Sequence, residues 1–300
     1  MQNILTDSEL LREIEYRLDE RQQTLQAMQA LNRNLEVVNQ KLVDSENLKS
    51  NFLSNIRNEI NNPLASIMGM ANLVANSKNL SPEHVKAAAQ SIFGEAFKLD
   101  FQLRNIFAAA DLESGLVGLE ISHVHIKSLL DHLKVQFALP LTEKQITLDI
   151  QKSGDTPDDS LFNSDAEKLH LIISNLVDNA IEFTEPNGAV LLNYRCEDGK
   201  LSVSVKDNGI GIPPEDHKRI FERFRQLDMG SQKLHKGNGI GLSIVRSVLD
   251  LMQGDVAVNS KPGEGCEITI QIPESESVNE IDFFGEAGNE FMFEDAPEEF

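Results

Sequence analysis

Two glycine clusters bracket residues 207–242 and constrain the fold more than any other feature of the chain. The first reads Asp207-Asn208-Gly209-Ile210-Gly211-Ile212 and the second Gly237-Asn238-Gly239-Ile240-Gly241-Leu242. The first directly follows Leu201-Ser202-Val203-Ser204-Val205, whose period of two predicts a strand. A strand that ends in Asp-x-Gly-x-Gly leaves one carboxylate, Asp207, beside a bare backbone, where a tight turn and the close approach of a flat ligand are expected. The second cluster opens a predicted helix with apolar Leu242, Ile244, Val245, Val248, Leu249, Leu251 and Met252. Its glycines therefore fall at a helix N-terminus, where free N–H groups and the dipole favour phosphate. A carboxylate for a base edge and glycines for phosphates together predict a nucleotide pocket. Either cluster alone reads equally well as a plain glycine turn in an α/β domain.

The flanking segments decide between these readings. In residues 165–184, Leu169, Ile172, Ile173, Leu176, Val177 and Ala180 form one helical stripe. Asn175 and Asn179 are one turn apart and share a face, and two neutral oxygens so spaced suit a magnesium ion held partly by nucleotide phosphates. Between the glycine clusters, Ile220-Phe221-Glu222-Arg223-Phe224 predicts a phenylalanine pair at the edge of a lid. These four segments, in this order, resemble the ATP-binding domain of sensor histidine kinases, and the resemblance extends over about residues 48–273. It implies ATP and Mg2+ as cofactors. Asp207 would recognise adenine, and Asn175 and Asn179 would hold the metal and phosphates. Gly209, Gly211, Gly237, Gly239, Gly241, Leu242, Phe221 and Phe224 would shape the pocket and its lid.

The fold class expected is α+β: an N-terminal coiled coil and a dimeric four-helix bundle, followed by an α/β sandwich that binds ATP. Residues 1–47 are assigned to the coiled coil, 48–119 to the dimerisation hairpin, 120–273 to the ATP-binding domain and 274–300 to an acidic tail. Leu11, Ile14, Leu18, Leu25 and Met28 follow coiled-coil spacing, and Met28, Leu31, Leu35, Val38 and Leu42 continue it after a register shift. The alternative is a single amphipathic helix lying on the body. Leu48, Phe52, Ile56, Ile60, Leu64 and Ile67 extend the periodicity, with a kink expected at Pro63. Ser81-Pro82-Glu83 predicts an N-cap and first turn, and the helix it starts carries Val85, Ala88, Ile92, Leu99, Leu103, Ile106 and Ala110 on one face. Two such hairpins make a four-helix bundle. In the ATP domain the pattern predicts a helix over 128–139 and strands over 146–150, 189–194, 201–206, 255–258 and 267–272. A loop over 155–159 and helices on one face of a mixed sheet complete the expectation.

Where this family carries its phosphoacceptor histidine, the matching text is Asn58-Glu59-Ile60-Asn61-Asn62-Pro63-Leu64. A carboxamide nitrogen is delocalised into its carbonyl and does not attack a γ-phosphate, so autophosphorylation at Asn58 is chemically excluded. His84 is the one histidine of the bundle region, and as a first-turn residue it reads as solvated. Glu182 stands where the family has a basic residue that reaches the phosphates, and a carboxylate there repels triphosphate. Lys233, His235 and Lys236 of the lid are candidates to offset it; the plain alternative is an exposed basic loop. Glu59 and Asn62 keep the acid and amide positions that the resemblance links to phosphoryl transfer and to dephosphorylation of a response regulator. The alternative is that both are simply exposed helix residues.

Charge narrows the partners. The net charge is −21, and residues 274–300 contribute ten acids and no Lys or Arg. Without a basic patch, nucleic acid is not an expected partner. No apolar run is long enough for a bilayer and the start lacks a signal-peptide pattern, so a cytoplasmic chain without membrane insertion is expected. Cys196 and Cys266 are expected as reduced, packed thiols. The tail interleaves its acids with Phe283, Phe284, Phe291, Met292, Phe293 and Phe300, which predicts disorder and either a docking segment or a solubilising tail. Three functions remain open: a homodimeric degenerate kinase that regulates a response regulator receiver domain or another sensor kinase through nucleotide-gated binding; a response-regulator phosphatase using Asn62; and a kinase that phosphorylates a histidine elsewhere. With no sensory domain legible, the signal would enter through the coiled coil or a partner.

Overall fold

The computed structural model describes residues 7–77, 80–115, 117–154, 161–223, 239–276 and 282–283. Residues 1–54 and 55–300 form two units. The first holds most of α1, a helix that runs over Asp7–Asn76. Leu18, Leu25, Met28, Leu31, Leu35, Val38 and Leu42 are all exposed along it, so this part of the expected apolar seam has no cover among the described residues. The helix passes through Pro63 without interruption.

In the second unit α2 spans Pro82–Ser114. The Ser81 hydroxyl accepts from the His84 N–H, Pro82 occupies the first turn, and Gly115 closes the helix at φ 68°, as the sequence predicts. Of the expected face only Ala88 is buried. Ala88, Gly94, Phe101 and Asn105 are buried, whereas Ile92, Leu99, Leu103 and Ile106 are only half-buried. Phe97 and Phe101 meet Phe137 edge-on, with centroids 6.0 and 5.9 Å apart, so α2 carries a second apolar face that packs on the sheet-containing body.

That body is a five-stranded sheet in the order β2-β4-β5-β7-β6 with helices against it. The strands are β2 (Thr147–Lys152), β4 (Ala189–Glu197), β5 (Lys200–Asp207), β6 (Asp255–Ser260) and β7 (Cys266–Pro273). Only β2 and β4 run parallel. Asp198 and Gly199, at φ 51° and 66°, turn β4 into β5, the geometry of a tight two-residue hairpin. Val190, Leu192, Leu201, Val203, Val205, Ile268 and Ile270 alternate onto the covered face and are at most 4% exposed. The main cover is α5 (Ala166–Phe183) packed beside α6 (Gly241–Leu251). Asp165 caps α5 through the Lys168 N–H, and its second oxygen accepts from the Glu120 N–H.

Three elements depart from expectation. The predicted helix over 128–139 is two helices, α3 (Ile126–Gln136) and α4 (Ala138–Lys144), broken at Phe137. A second sheet, β3-β1-β8, forms from β1 (Ile121–His125), β3 (Leu161–Asp165) and β8 (Asp282–Phe283). The tail was expected to be disordered from Glu274, yet Ser275 donates to the Asn163 carbonyl, and Asp282 and Phe283 pair in parallel with His123 and Val124. The loop over 155–159 and the remaining tail aromatics, Phe284 onward, lie outside the described residues.

The turn between β6 and β7 fixes the end of β5. A Cβ on Gly211 (φ 69°) would lie 1.9 Å from the Lys261 carbonyl oxygen, and one on Gly265 (φ 79°) 2.1 Å from that of Asp207. Gly263, also at positive φ, has open space around its Cβ position. Gly211→Ala should therefore destabilise the protein by more than about 2 kcal/mol, and Gly263→Ala by about 1 kcal/mol. Chemical denaturation of the two variants measures the difference.

Candidate active site

The cleft of this unit, about 370 Å3 in volume, lies between α2, α4, α5 and the segments that follow β5 and precede α6. Asp207 lies in its wall, 8% exposed. Its Oδ1 accepts from the N–H groups of Gly209 (2.8 Å) and Cys266 (3.2 Å). Burial raises its pKa, and those hydrogen bonds oppose the rise. Gly211 lines the cleft, and the glycines here also admit protein backbone. A Cβ on Gly209 would lie 2.1 Å from the Phe183 carbonyl oxygen, so what Gly209 and Gly211 admit closely is protein backbone, which holds the Asp207 carboxylate in place.

Asn179, half-buried, lines the cleft from α5. Asn175 is 3% exposed and its carboxamide is fully engaged. Its Nδ2 donates to Asn105 Oδ1 (2.8 Å) and to the Leu171 carbonyl (2.9 Å), and its Oδ1 accepts from Asn105 Nδ2 (3.0 Å). The second glycine cluster behaves as predicted at its described end. Gly239 (φ 64°) precedes Ile240, the N-cap of α6, and Gly241 and Leu242 open that helix beside the cleft. Gly241 is required here because a Cβ would lie 2.6 Å from Asn175 Oδ1. Ile220, not Phe221, reaches the cleft. Phe224, Gly237, Lys233, His235 and Lys236 lie outside the described residues.

Acidic and basic groups share one wall. Glu182 and Asp178 line the cleft together with Lys98 of α2 and Lys144 of α4. The Lys144 ammonium donates to the carbonyls of Ile181 (2.8 Å) and Glu182 (2.7 Å), neutralising the C-terminal dipole of α5. Asp178 is exposed to the cleft, yet the protein around that opening removes enough water to push its carboxyl up to about 7. Glu182 adds to the rise, while Lys144 and Lys98 reduce it. At the base of α5 the reverse holds for His170. Burial, then His132 and Arg104, lower it to about 4, and its Nε2 has no hydrogen-bond partner. Both cysteines are free, and burial pushes the Cys266 thiol up to about 12.

On α1, Asn58 and Asn62 are exposed and neither lines the cleft; the Glu59 side chain lies outside the described residues. Sequence reasoning missed Asn105, Lys98 and Phe101, which come to the site from another part of the chain. It also missed Lys144, whose only signal was its place at the end of a short helix.

Comparison with known proteins agrees with this geometry. Residues 164–276 match the family described as histidine kinase-, DNA gyrase B- and HSP90-like ATPase, and residues 48–115 match the His Kinase A (phospho-acceptor) domain. The chain carries the paired domains of the histidine kinase family. It is 32% identical over 225 residues to the sensor histidine kinase RcsC of Salmonella typhimurium, covering 75% of this chain and 23% of that protein. The signal transduction histidine-protein kinase BarA of Escherichia coli is 30% identical over 271 residues, 88% of this chain and 29% of BarA. The chain thus spans less than a third of the curated relatives it matches. The crystal structure of full-length ShkA in complex with AMPPNP aligns with a TM-score of 0.53 and 28% identity, over 76% of this chain and 46% of that one. Among the described residues no helix is long and apolar enough to cross a membrane.

The two shifted groups set opposite pH slopes. The fold favours protonated Asp178, so between about pH 4 and 7 its contribution to stability falls as pH rises. The fold favours neutral His170, so its contribution falls as pH drops from 6.5 towards about 4. Asp178→Asn should raise the melting temperature at about pH 8, leave it unchanged near pH 4, and steepen the loss on acidification that His170 drives. Thermal melts of the variant and the natural protein across this range check the sign.

Proposed function

We propose that the cleft binds ATP with Mg2+, and that the chain is a histidine-kinase-family regulator of a two-component phosphorelay that keeps the nucleotide site without its own phosphoacceptor. The observation that carries this reading is the Asp207 carboxylate, fixed by two backbone N–H groups in a cleft that also receives Asn179 and the first residues of α6. A carboxylate held by one oxygen presents the other to an amino group such as that of adenine. The N–H groups at the start of α6 suit phosphate.

The residues present also fit the cation. Carboxamide oxygens are hard donors, and among the described residues no group of three or more His, Cys, Asp or Glu could hold a metal by itself. Mg2+ would share its ligands between Asn179, Asn175 and the phosphates, as it prefers. When bound, ATP supplies the phosphoryl group and Mg2+ offsets its charge. Asp178, with a pKa of about 7, is half neutral near physiological pH, which reduces the repulsion that it and Glu182 exert on the phosphates. The likeness to ShkA, solved with AMPPNP, supports a nucleotide as the ligand.

Asn58 stands at the acceptor position, and its carboxamide has no nucleophilic nitrogen. The output is then binding: a nucleotide-dependent conformation presented to a response regulator receiver domain or to another sensor kinase. The exposed apolar seam of α1 supports a coiled-coil homodimer. A second reading, dephosphorylation of a receiver, is favoured by the exposure of Asn62, which leaves its amide free to orient water at a partner's phospho-aspartate. A kinase acting on a histidine elsewhere uses the same cleft.

Calorimetric titration with Mg2+ and AMPPNP tests the shared premise. The natural chain should bind, and Asp207→Asn should weaken binding by at least about tenfold, the scale of one charge-assisted hydrogen bond, with its circular dichroism unchanged. Binding that ignores this substitution would sink the nucleotide assignment.

A further inference from the structure

The described molecule holds Asn175, the metal ligand proposed above, in a contact that a bound cation would have to break. We propose that Asn105 of α2 and Asn175 of α5 form a clasp released by the Mg2+-bound nucleotide, so that cleft occupancy and docking of α2 are in competition. The proposal rests on the nucleotide reading above and adds to it the means by which occupancy would be communicated to the helical hairpin.

The two buried carboxamides are joined reciprocally at 2.8 and 3.0 Å across 70 positions of sequence. Asn175 Oδ1, the only atom of that side chain able to ligate a cation, accepts the Asn105 N–H on one side. On the other side the α6 backbone passes at Gly241, where an added Cβ would lie 2.6 Å from this oxygen. An inner-sphere Mg2+ sits about 2.1 Å from its oxygen ligands and keeps several waters in near-octahedral geometry. Asn175 lines the cleft yet is only 3% exposed, and while α2 stays docked the Asn105 N–H occupies the approach to its oxygen. A cation at that oxygen would also face the positive end of the Asn105 N–H dipole. Asn179, half-buried and already facing the cleft, has no comparable obstacle. Nucleotide would therefore enter through Asp207 and Asn179, and full metal ligation would follow once Asn175 exchanges Asn105 for the cation.

The remaining contacts of α2 suit a reversible clasp. Phe97 and Phe101 pack edge-on against the buried Phe137. Glu113 forms an ion pair with Arg223 (3.1 Å) between two side chains that are both substantially exposed, a weak bond that water replaces readily. Beyond its packing against α6, α2 meets the body through polar pairs and a small aromatic cluster, and such an element can sit on either side of a two-state equilibrium. By linkage, whatever factor Mg2+-nucleotide takes from docking, loss of the clasp returns to Mg2+-nucleotide affinity.

The chain contains no tryptophan, so a Phe101→Trp variant carries a single reporter at the α2 contact. Mg2+–AMPPNP should shift its emission to the red as α2 leaves Phe137, and AMPPNP with EDTA should not. In the natural sequence, Asn105→Ala should bind Mg2+–AMPPNP roughly three- to tenfold more tightly, with the EDTA affinity changed by no more than about twofold. The calorimetric comparison does not depend on the reporter folding. Binding of Mg2+–AMPPNP with unchanged emission, or with equal or weaker affinity in Asn105→Ala, would overturn the clasp and leave the nucleotide site standing. Absence of binding by the natural chain in every condition would instead overturn the nucleotide reading on which it rests.

Discussion

The candidate site depends on one backbone contact, where the loop after β5 meets the turn between β6 and β7. Gly211 lies against the Lys261 carbonyl and Gly265 against that of Asp207, both at positive φ and both closer than a side chain permits. The contact brings the Cys266 N–H to Asp207 Oδ1 beside that of Gly209, so the carboxylate is oriented by main chain alone. A buried carboxylate without those donors would bear the full cost of desolvation. The remaining parts of the cleft are arranged around this fixed point: α5 with Asn179, the start of α6, and α2 across the opening.

Much of this was legible in the sequence because it is written in short-range pattern. The alternation of Leu201, Val203 and Val205, the stripe on α5 and the Ser81-Pro82 cap each follow from local chemistry, and each forms where expected. The polar strands β1 and β3 were missed because Ser122, His123, His125, Asn163 and Ser164 break any alternating pattern. Their pairing is a tertiary event: Asp165 ties Glu120 to the first turn of α5. The protein neighbours of the glycines were hidden for the same reason. A sequence shows that close approach is allowed, but not that the neighbour is Lys261 or Phe183 rather than a ligand.

The α2 helix carries the largest lesson. Its periodicity pointed to Ile92, Leu99, Leu103 and Ile106, and these are half-buried, while Phe97, Phe101 and Asn105 are what join it to the body. A helix that is apolar on two sides gives no single phase, and a lone asparagine gives no signal at all. Yet Asn105 changes what Asn175 is available to do. Asn175 and Asn179 were equivalent in sequence; in the folded protein both line the cleft, but Asn175 is buried and bonded to Asn105 whereas Asn179 is half-buried. The same helix brings Lys98 to the wall that holds Asp178 and Glu182, the wall where the sequence suggested an uncompensated charge.

Backbone builds and orients the cleft that we assign to a nucleotide, while α1 bears Asn58, exposed and outside the cleft lining. The account's central claim is that the site is kept while the acceptor is gone. Incorporation of labelled γ-phosphate from ATP with Mg2+, compared between the natural chain and Asn58→His, tests it most directly. The account predicts no label on the natural chain and acid-labile label on Asn58→His. Equal labelling of both would mean that another residue accepts phosphate, and would contradict it.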